Sequence, residues 1–159
     1  IWNVLRDASP EFGPVMHGFT YSGHPVGGAI GLANLDIMER ERLVENAAAT
    51  GAYFLQHLRE RIASHPYVGS VRGEGLMLAV EFVADKAQRR FFSPGANPHR
   101  IVAERALEQG VLVRALPFLE VTSLSPPLCI TRDEVDEAVE RYASGLEAAT
   151  PELRQLAKH

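Results

Sequence analysis

The stretch His17-Gly18-Phe19-Thr20-Tyr21-Ser22-Gly23-His24-Pro25 organises the rest of the chain, because it ends where a long helix of small residues begins. Its two glycines permit tight turns, and its final proline suits the first turn of a helix, where a missing N–H costs nothing. Thr20 and Ser22 offer hydroxyl donors. The pattern therefore predicts a loop that can hold an anion at the entrance to a helix.

Helices are predicted on both sides of this loop. Before it, apolar residues recur at helical spacing from Ile1 to Ala8, until Ser9-Pro10 interrupts the pattern. After it, small side chains fill the first two turns of a second helix that begins at about His24. Small side chains let another backbone approach closely, so we expect either a second subunit or another part of the same chain to pack there.

The remainder of the chain is typical of a small α/β unit, because amphipathic helices and short apolar strands alternate between glycines and prolines. We predict helices at 43–62, at 99–109 and from 132 onwards, and strands within 67–75, at 76–83 and at 111–113. Gly110 fits a C-terminal helix cap, and Thr131 with Glu134 fits the capping box of the last helix. This pattern indicates helices that cover one face of a small sheet.

Composition narrows the class of protein. A length of 159 residues with 46% hydrophobic content suits one ordinary domain with a buried core. The net charge of −4, from 16 basic and 20 acidic residues spread along the chain, predicts no nucleic-acid partner. A single cysteine, Cys129, excludes an internal disulfide framework, and no apolar run reaches the roughly 20 residues that span a bilayer. We therefore expect a cytoplasmic protein that does not enter a membrane.

The loop and its helix, HGFTYSGHPVGGAIGLANLDIMERERL at residues 17–43, resemble the segment that follows the catalytic lysine in class III aminotransferases. The resemblance continues through VRGEGLMLAVEF, GVLVRALP and SPPLCITRDEVDEAVERY, so it covers the chain from Ile1 to about Leu146. Those enzymes use pyridoxal 5'-phosphate (PLP) and have the α/β type I PLP-dependent transferase fold. The resemblance implies that residues 1–45 form the end of the large PLP-binding domain and an interdomain helix, and that residues 46–159 form the C-terminal small α/β domain.

The resemblance also assigns a role to the loop. In that family, the residues that match Phe19, through its backbone, and Thr20, through its hydroxyl and N–H, bind the cofactor phosphate in the partner subunit's site. The complete protein would therefore be a homodimer. Thr20 also suits this role on chemical grounds, because a hydroxyl and an N–H near a helix entrance can donate to phosphate oxygens.

Arg114 is the candidate substrate-binding residue. It follows the apolar run 111–113, so its charged side chain needs a carboxylate, backbone carbonyls or solvent. It matches the arginine that binds the substrate carboxylate in class III aminotransferases, and a guanidinium can grip a carboxylate through two parallel hydrogen bonds. Alternatively, it is a rim arginine that pairs with an acid such as Glu120. The apolar residues 116–119 hint at tolerance of hydrophobic substrates.

PLP enzymes hold their cofactor through a lysine, and neither lysine of this chain has the required setting. Lys86 lies in a polar run and Lys158 lies in the C-terminal tail, so both are predicted to be surface residues. The resemblance places the catalytic lysine upstream of Ile1. We therefore expect no catalytic residue in this chain, which would be part of a larger enzyme and inactive alone.

The remaining candidate residues point to no further chemistry. The histidines, Cys129 and the acidic residues show no metal-ligand spacing, so no metal site is predicted, and Cys129 is expected to be a small core residue. The leading hypothesis is part of a PLP-dependent aminotransferase that moves an amino group between an amine or amino acid and a keto acid. The alternatives are a PLP-dependent decarboxylase or aminomutase of the same subgroup, and a non-catalytic fragment that dimerises.

Overall fold

A computed structural model describes residues 1–14 and 16–158, which form five helices and four strands. In chain order these are α1 (Trp2–Phe12), α2 (Pro25–Arg40), α3 (Leu43–Ile62), β1 (Val68–Glu74), β2 (Met77–Phe82), α4 (Pro98–Glu108), β3 (Arg114–Ala115), β4 (Val121–Leu124) and α5 (Arg132–Leu156). The chain divides into two compact units, Ile1–Glu41 and Arg42–His159. The predicted domain boundary between residues 45 and 46 stays a prediction.

The first unit consists of α1, the loop and α2. The sequence predicted that α1 would break at Ser9-Pro10, but the helix continues through Pro10 to Phe12. It ends at Gly13, which has a φ of 82° and donates its N–H to the Ser9 carbonyl over 2.9 Å. Neither α1 nor α2 contains a buried residue. Local signals at the helix ends therefore define these helices within this unit, without help from a core.

The second unit contains a four-stranded antiparallel sheet with the strand order β1-β2-β4-β3. A two-residue turn at Gly75-Leu76 joins β1 to β2, and Gly75 has a φ of 51°. These two strands were predicted, whereas β4 was not. The strand predicted at 111–113 is wrong, because the strand begins only at Arg114. The position of β3 is set by its pairing with β4. The residues of 111–113 carry no local sequence signal that shows where this pairing begins.

One face of this sheet carries the core. Side chains from β2 and β4 alternate between the two faces, and those that meet the helices are buried: Leu78, Val80, Phe82, Thr122 and Leu124. Helix α3 packs on β1, α4 packs on β3 and β4, and α5 contacts both α3 and α4. The Thr122 hydroxyl bonds the Tyr142 hydroxyl over 2.6 Å, and both residues are fully buried. The prediction that helices cover one face of a small sheet is confirmed.

Helix ends in the second unit follow the predicted signals. The Thr131 hydroxyl accepts the Glu134 N–H over 3.3 Å, and the Glu134 carboxylate accepts the Thr131 N–H over 2.8 Å, so the capping box is confirmed. Gly110 has a φ of 85° and ends α4 as predicted, with the Val111 N–H donating to the Ala106 carbonyl over 3.0 Å.

Helix α3 approaches the β1–β2 turn at backbone distance. A Cβ added to Gly51 would lie 2.1 Å from the Gly75 carbonyl oxygen, so only glycine fits at this position of α3. Polar contacts then tie α3 to α5. Asp136 accepts a hydrogen bond from the Tyr53 hydroxyl at 2.6 Å and lies 2.9 Å from His57 Nδ1.

No helix within the described ranges is both long and apolar enough to cross a membrane. Cys129 was expected in the core, but it is exposed in the turn before α5. Its apolar neighbours suggested burial, yet Leu128 is also 38% exposed, because this segment lies at the surface.

Candidate functional site

The loop before α2 contains a turn that closes on itself. The Phe19 N–H donates to Ser22 Oγ over 2.8 Å, and the Ser22 N–H donates to the Phe19 carbonyl over 2.9 Å. Thr20 and Tyr21 form the corner of this turn, and the His24 N–H donates to the Tyr21 carbonyl over 3.1 Å. The turn therefore holds Thr20 at an exposed corner, four residues before the helix cap at His24.

Helix α2 starts through two local devices. Pro25 occupies the first helical position, and the His24 side chain caps the helix by accepting the Gly27 N–H on Nδ1 over 3.1 Å. This hydrogen bond requires the tautomer of His24 with its proton on Nε2. The helix start is thus defined within the loop itself, next to the residues predicted to bind phosphate.

The donors of Thr20 fit a phosphate group. Its side chain is exposed, and no other described residue forms a hydrogen bond with its hydroxyl or its N–H. Phosphate oxygens are acceptors that such unpaired donors satisfy, and a nearby helix N-terminus adds favourable electrostatics. Phe19 is different, because its N–H is already used by Ser22. That donor must be shared or exchanged if it is to reach a phosphate.

Arg114 lies in the second unit as the first residue of β3, which is an edge strand. It pairs with Ser123 in the register, and Ser123 pairs with Ala79 of β2. Because residues opposite one another point to the same side of a sheet, Arg114 points away from the face that carries the core. Its side chain is exposed, so the guanidinium is accessible to a small anion.

The alternative ion pair between Arg114 and Glu120 does not form in this structure. Within the described residues Arg114 makes no salt bridge. Glu120 instead accepts the Phe92 N–H over 3.4 Å, and burial together with the nearby Glu81 raises its pKa. Arg72, on the same face of the sheet as Arg114, is paired with Glu81 over 2.8 Å. Arg114 therefore has a free charge where Arg72 does not.

The two lysines are exposed, as the sequence predicted. The Lys86 ammonium donates to the Ala63 carbonyl at the end of α3. Lys86 also borders an open cleft of about 440 Å³ whose other lining residues include Glu81, Val83 and Phe91. The hydrogen bond to the Ala63 carbonyl therefore gives Lys86 a structural role at the end of α3. No group of three or more His, Cys, Asp or Glu side chains arranged to hold a metal ion occurs in residues 1–14 and 16–158.

The segment that follows β3 exposes apolar side chains, which is in keeping with the sequence-based hint. Phe118 is 94% exposed and Leu119 is 57% exposed in the segment between β3 and β4. Phe19, Thr20 and the loop belong to the first unit and Arg114 belongs to the second. Their predicted roles in cofactor and substrate binding stay predictions.

Sequence reasoning missed one buried polar residue near this strand. His99, the second residue of α4, is only 4% exposed. Its spacing with Val102 and Ala106, three and seven residues later, matches the buried stripe of a helix and would have revealed it.

Comparisons with a family model and with known proteins identify the same family. Residues 4–146 match the family described as aminotransferase class-III. The chain is 46% identical over 153 residues to diaminobutyrate–2-oxoglutarate transaminase from Halomonas elongata, covering 96% of this chain and 33% of that protein. It is 38% identical over 141 residues to putrescine–pyruvate aminotransferase from Pseudomonas aeruginosa, covering 86% of this chain and 30% of that protein.

A solved structure agrees with these relatives. The chain superposes on the omega transaminase from Pseudomonas jessenii in complex with PMP with a TM-score of 0.84 at 39% identity, over 94% of this chain and 32% of that one. The chain thus spans about a third of the length of the relatives it matches. The predicted α/β fold of a type I PLP-dependent transferase is confirmed for this part of the protein.

Proposed function

The chain belongs to the class III aminotransferase family, and we propose that it is the C-terminal third of a PLP-dependent enzyme. The complete enzyme transfers an amino group between an amine or amino acid and a keto acid. The observation that carries this proposal is the continuous family match over residues 4–146, which includes both the loop at 17–25 and Arg114.

Class III aminotransferases use PLP, and the residues of this chain fit its phosphate. Thr20 would donate its hydroxyl and N–H to the phosphate oxygens, and Phe19 would contribute through its backbone. When bound, PLP supplies the electron sink that amino transfer requires. The protein supplies the donors, the orientation and the exclusion of water. The lysine that holds the cofactor is proposed to lie outside this chain, which is therefore inactive alone.

The complete enzyme is proposed to be a homodimer in which this loop serves the partner subunit's site. Support comes from α2, which exposes five large apolar side chains in this chain: Val26, Ile30, Leu32, Leu35 and Ile37. An apolar surface of this kind is stable only when another surface covers it. A cytoplasmic location is also proposed for the complete enzyme, and the single cysteine in this part of the protein is compatible with it.

Arg114 is proposed to bind the substrate carboxylate. An exposed guanidinium without an ion pair, on the polar side of an edge strand, can accept a carboxylate in two parallel hydrogen bonds. The names of the two relatives pair a diamine-type donor with the keto acids 2-oxoglutarate or pyruvate. We therefore propose a small keto acid as the amino acceptor and a compound with a terminal amine as the donor.

The test of the reaction uses the complete protein loaded with PLP and incubated with an amine donor and a keto acid. Stoichiometric conversion of the keto acid into an amino acid, measured by chromatography, is the expected result. Release of carbon dioxide without consumption of keto acid would instead identify a decarboxylase. Movement of an amino group within one molecule would identify an aminomutase, and dimers without turnover would identify a non-catalytic fragment.

The test of Arg114 compares the two half-reactions. Arg114→Ala should lower kcat/KM toward keto and amino acids, by an amount that corresponds to about 2 to 4 kcal/mol of lost transition-state stabilisation. The reason is that a charged bidentate contact is removed. Amine donors without a carboxylate should change little, and Arg114→Lys should recover only part of the loss. Arg72→Ala is the matched control, because that arginine is already paired with Glu81. Equal losses for amines and amino acids would make Arg114 a structural residue.

The test of the loop measures cofactor affinity. Thr20→Ala in the complete protein should weaken PLP binding by about 1.5 to 3 kcal/mol, because a hydrogen bond to a charged group is lost. Thr20→Ser keeps the hydroxyl and should retain most of the affinity. Titration of the apoprotein with PLP gives both values, and unchanged binding by Thr20→Ala would remove this residue from the phosphate site.

A further inference from the structure

His99 is a buried polar side chain that no hydrogen bond explains. The structure buries three polar or charged residues, Thr50, His99 and Thr122, within its described part. Thr50 bonds Asn46 over 2.9 Å and Thr122 bonds Tyr142 over 2.6 Å. Neither ring nitrogen of His99 has a hydrogen-bond partner of standard geometry among the described residues. Since unpaired buried polar groups are unfavourable, this imidazole calls for a partner.

A candidate partner lies in the β3–β4 hairpin, on which α4 packs: the backbone of Leu116. The pKa of His99 is lowered, first by burial and then by the charge of Arg100, while the backbone of Leu116 acts on the ring in the opposite direction. The ring is therefore neutral near pH 7 and has one N–H to donate. Leu116 already donates its own N–H to the Val121 carbonyl over 3.0 Å, across the β3–β4 hairpin. Its carbonyl forms no backbone hydrogen bond within the described residues, so it remains available as an acceptor.

The strand that carries Arg114 needs support from outside the sheet. β3 has only two residues, lies at the sheet edge and pairs with β4 through two residue pairs. So short a ladder restrains an edge strand weakly. The other element that packs against both β3 and β4 is α4, where His99 lies in the first turn. Leu116 directly follows β3, so a contact at its carbonyl fixes the strand at its C-terminal end.

We propose that His99 is a positioning residue whose ring N–H donates to the Leu116 carbonyl in the complete enzyme and so fixes the place of Arg114. This inference rests on the proposed role of Arg114 in binding the substrate carboxylate. The exposed guanidinium of Arg114 would bind the substrate, and the buried His99 ring would hold the strand of Arg114 in place without contact to substrate or cofactor. Loss of the hydrogen bond leaves the Arg114 charge in place but loosens its strand.

The experiment uses three variants of the complete, PLP-loaded enzyme. His99→Phe fills the site without a donor, His99→Asn places an amide donor near the position of Nδ1, and His99→Gln places one near Nε2. Loss of one buried hydrogen bond should lower kcat/KM about five- to tenfold for keto and amino acids, with most of the change in KM. Amine donors without a carboxylate should change less than about twofold, and one of the two amides should restore most of the loss.

His65→Phe is the matched control for general destabilisation. His65 is a half-buried histidine whose pKa is lowered by burial, and it bonds Thr150 over 2.9 Å. It precedes β1, at the opposite edge of the sheet from β3. His65→Phe should therefore lower the melting temperature while affecting the two half-reactions equally.

The outcomes separate this inference from the proposed function. If the unsubstituted enzyme transfers amino groups and Arg114→Ala is selective for carboxylate substrates, the proposed function stands whatever His99 does. Equal losses in both half-reactions for His99→Phe, or no recovery by either amide, would overturn the positioning role. If His99→Phe does not fold, the two amide variants still decide, because the role requires that they differ in KM for the keto acid and not for the amine.

Discussion

Helices α2 and α3 both contain glycines and apolar residues, yet the structure treats them in opposite ways. Helix α3 buries Phe54, Leu58 and Ile62, and Gly51 touches the backbone of the β1–β2 turn. Helix α2 buries nothing, and a Cβ added to Gly28 or Gly31 would meet no atom within 4 Å. The difference teaches that the second unit contains its own core, whereas the helices of the first unit bury no side chain in this structure.

The largest expected effect comes from truncating apolar residues in the two helices. Leu58→Ala in α3 should destabilise the second unit by about 2 to 5 kcal/mol, because the residue is fully buried. Ile30→Ala in α2 should cost less than about 0.5 kcal/mol in this chain, since Ile30 is 65% exposed. Urea unfolding of the 159-residue chain, followed by circular dichroism, measures both. Similar losses for the two variants would contradict the comparison.

Substitution of one glycine in each helix tests whether α2 and α3 differ in how closely other backbone segments approach them. Gly51→Ala should cost about 1 to 3 kcal/mol, because its new methyl group would overlap the Gly75 carbonyl. The matched change Gly28→Ala should leave the chain unchanged or stabilise α2 by up to about 1 kcal/mol, since alanine is the better helix former. In the complete enzyme the Gly28→Ala change should become unfavourable, because we expect a subunit to pack there. Thermal melts of both forms test this reversal.

Helix caps give a smaller effect. Thr131→Ala removes the capping box of α5 and should destabilise the second unit by about 0.5 to 2 kcal/mol, while Thr131→Ser keeps the acceptor. His24→Ala removes the side-chain cap of α2 and should leave the unfolding of the second unit unchanged. An equal loss of unfolding free energy for His24→Ala and Thr131→Ala would show that the two units unfold together.

The smallest expected effect is a pH dependence of the second unit. Burial lowers the pKa values of His65 and His99, so the folded state binds fewer protons than the unfolded state below the ordinary value of 6.5. Stability is therefore highest well above that pH, falls as the pH drops from about 6.5 towards the lowered pKa values, and levels off below them. His65→Asn should flatten part of this slope in urea midpoints measured between about pH 8 and pH 5. Staying above pH 5 avoids Glu134, whose pKa is lowered by the Thr131 N–H.

The elements that the sequence predicted well are those with local causes. The capping box at Thr131 and the cap at Gly110 depend on residues within one helical turn, and both occur as predicted. The β1–β2 hairpin was also predicted, because Gly75 marks its turn. The strand predicted at 111–113 was displaced to Arg114–Ala115, since its register depends on β4. β4 itself has only four residues, too few for a periodic signal.

The candidate site divides in the same way. The hydroxyl of Thr20 and the helix entrance at Pro25 were visible in the sequence, and the structure places them in one exposed loop. The hydrogen bond between the Phe19 N–H and Ser22 was not predicted, because it depends on the path of the turn. The burial of His99 was missed for a different reason. Its spacing with Val102 and Ala106 marks the buried stripe of α4, but a polar imidazole is not expected in such a stripe.

The strand order β1-β2-β4-β3 has a consequence for the route by which the sheet assembles. The β1–β2 and β3–β4 hairpins each join neighbours in the chain, so both form by closing short loops. The β2–β4 pairing joins them across residues 83–120, including all of α4, and carries the larger entropic cost of closure. We therefore expect the joining of the two hairpins to be the slow step of folding. Arg114 reaches its final place in the sheet only when that step is complete, although its own hairpin forms early.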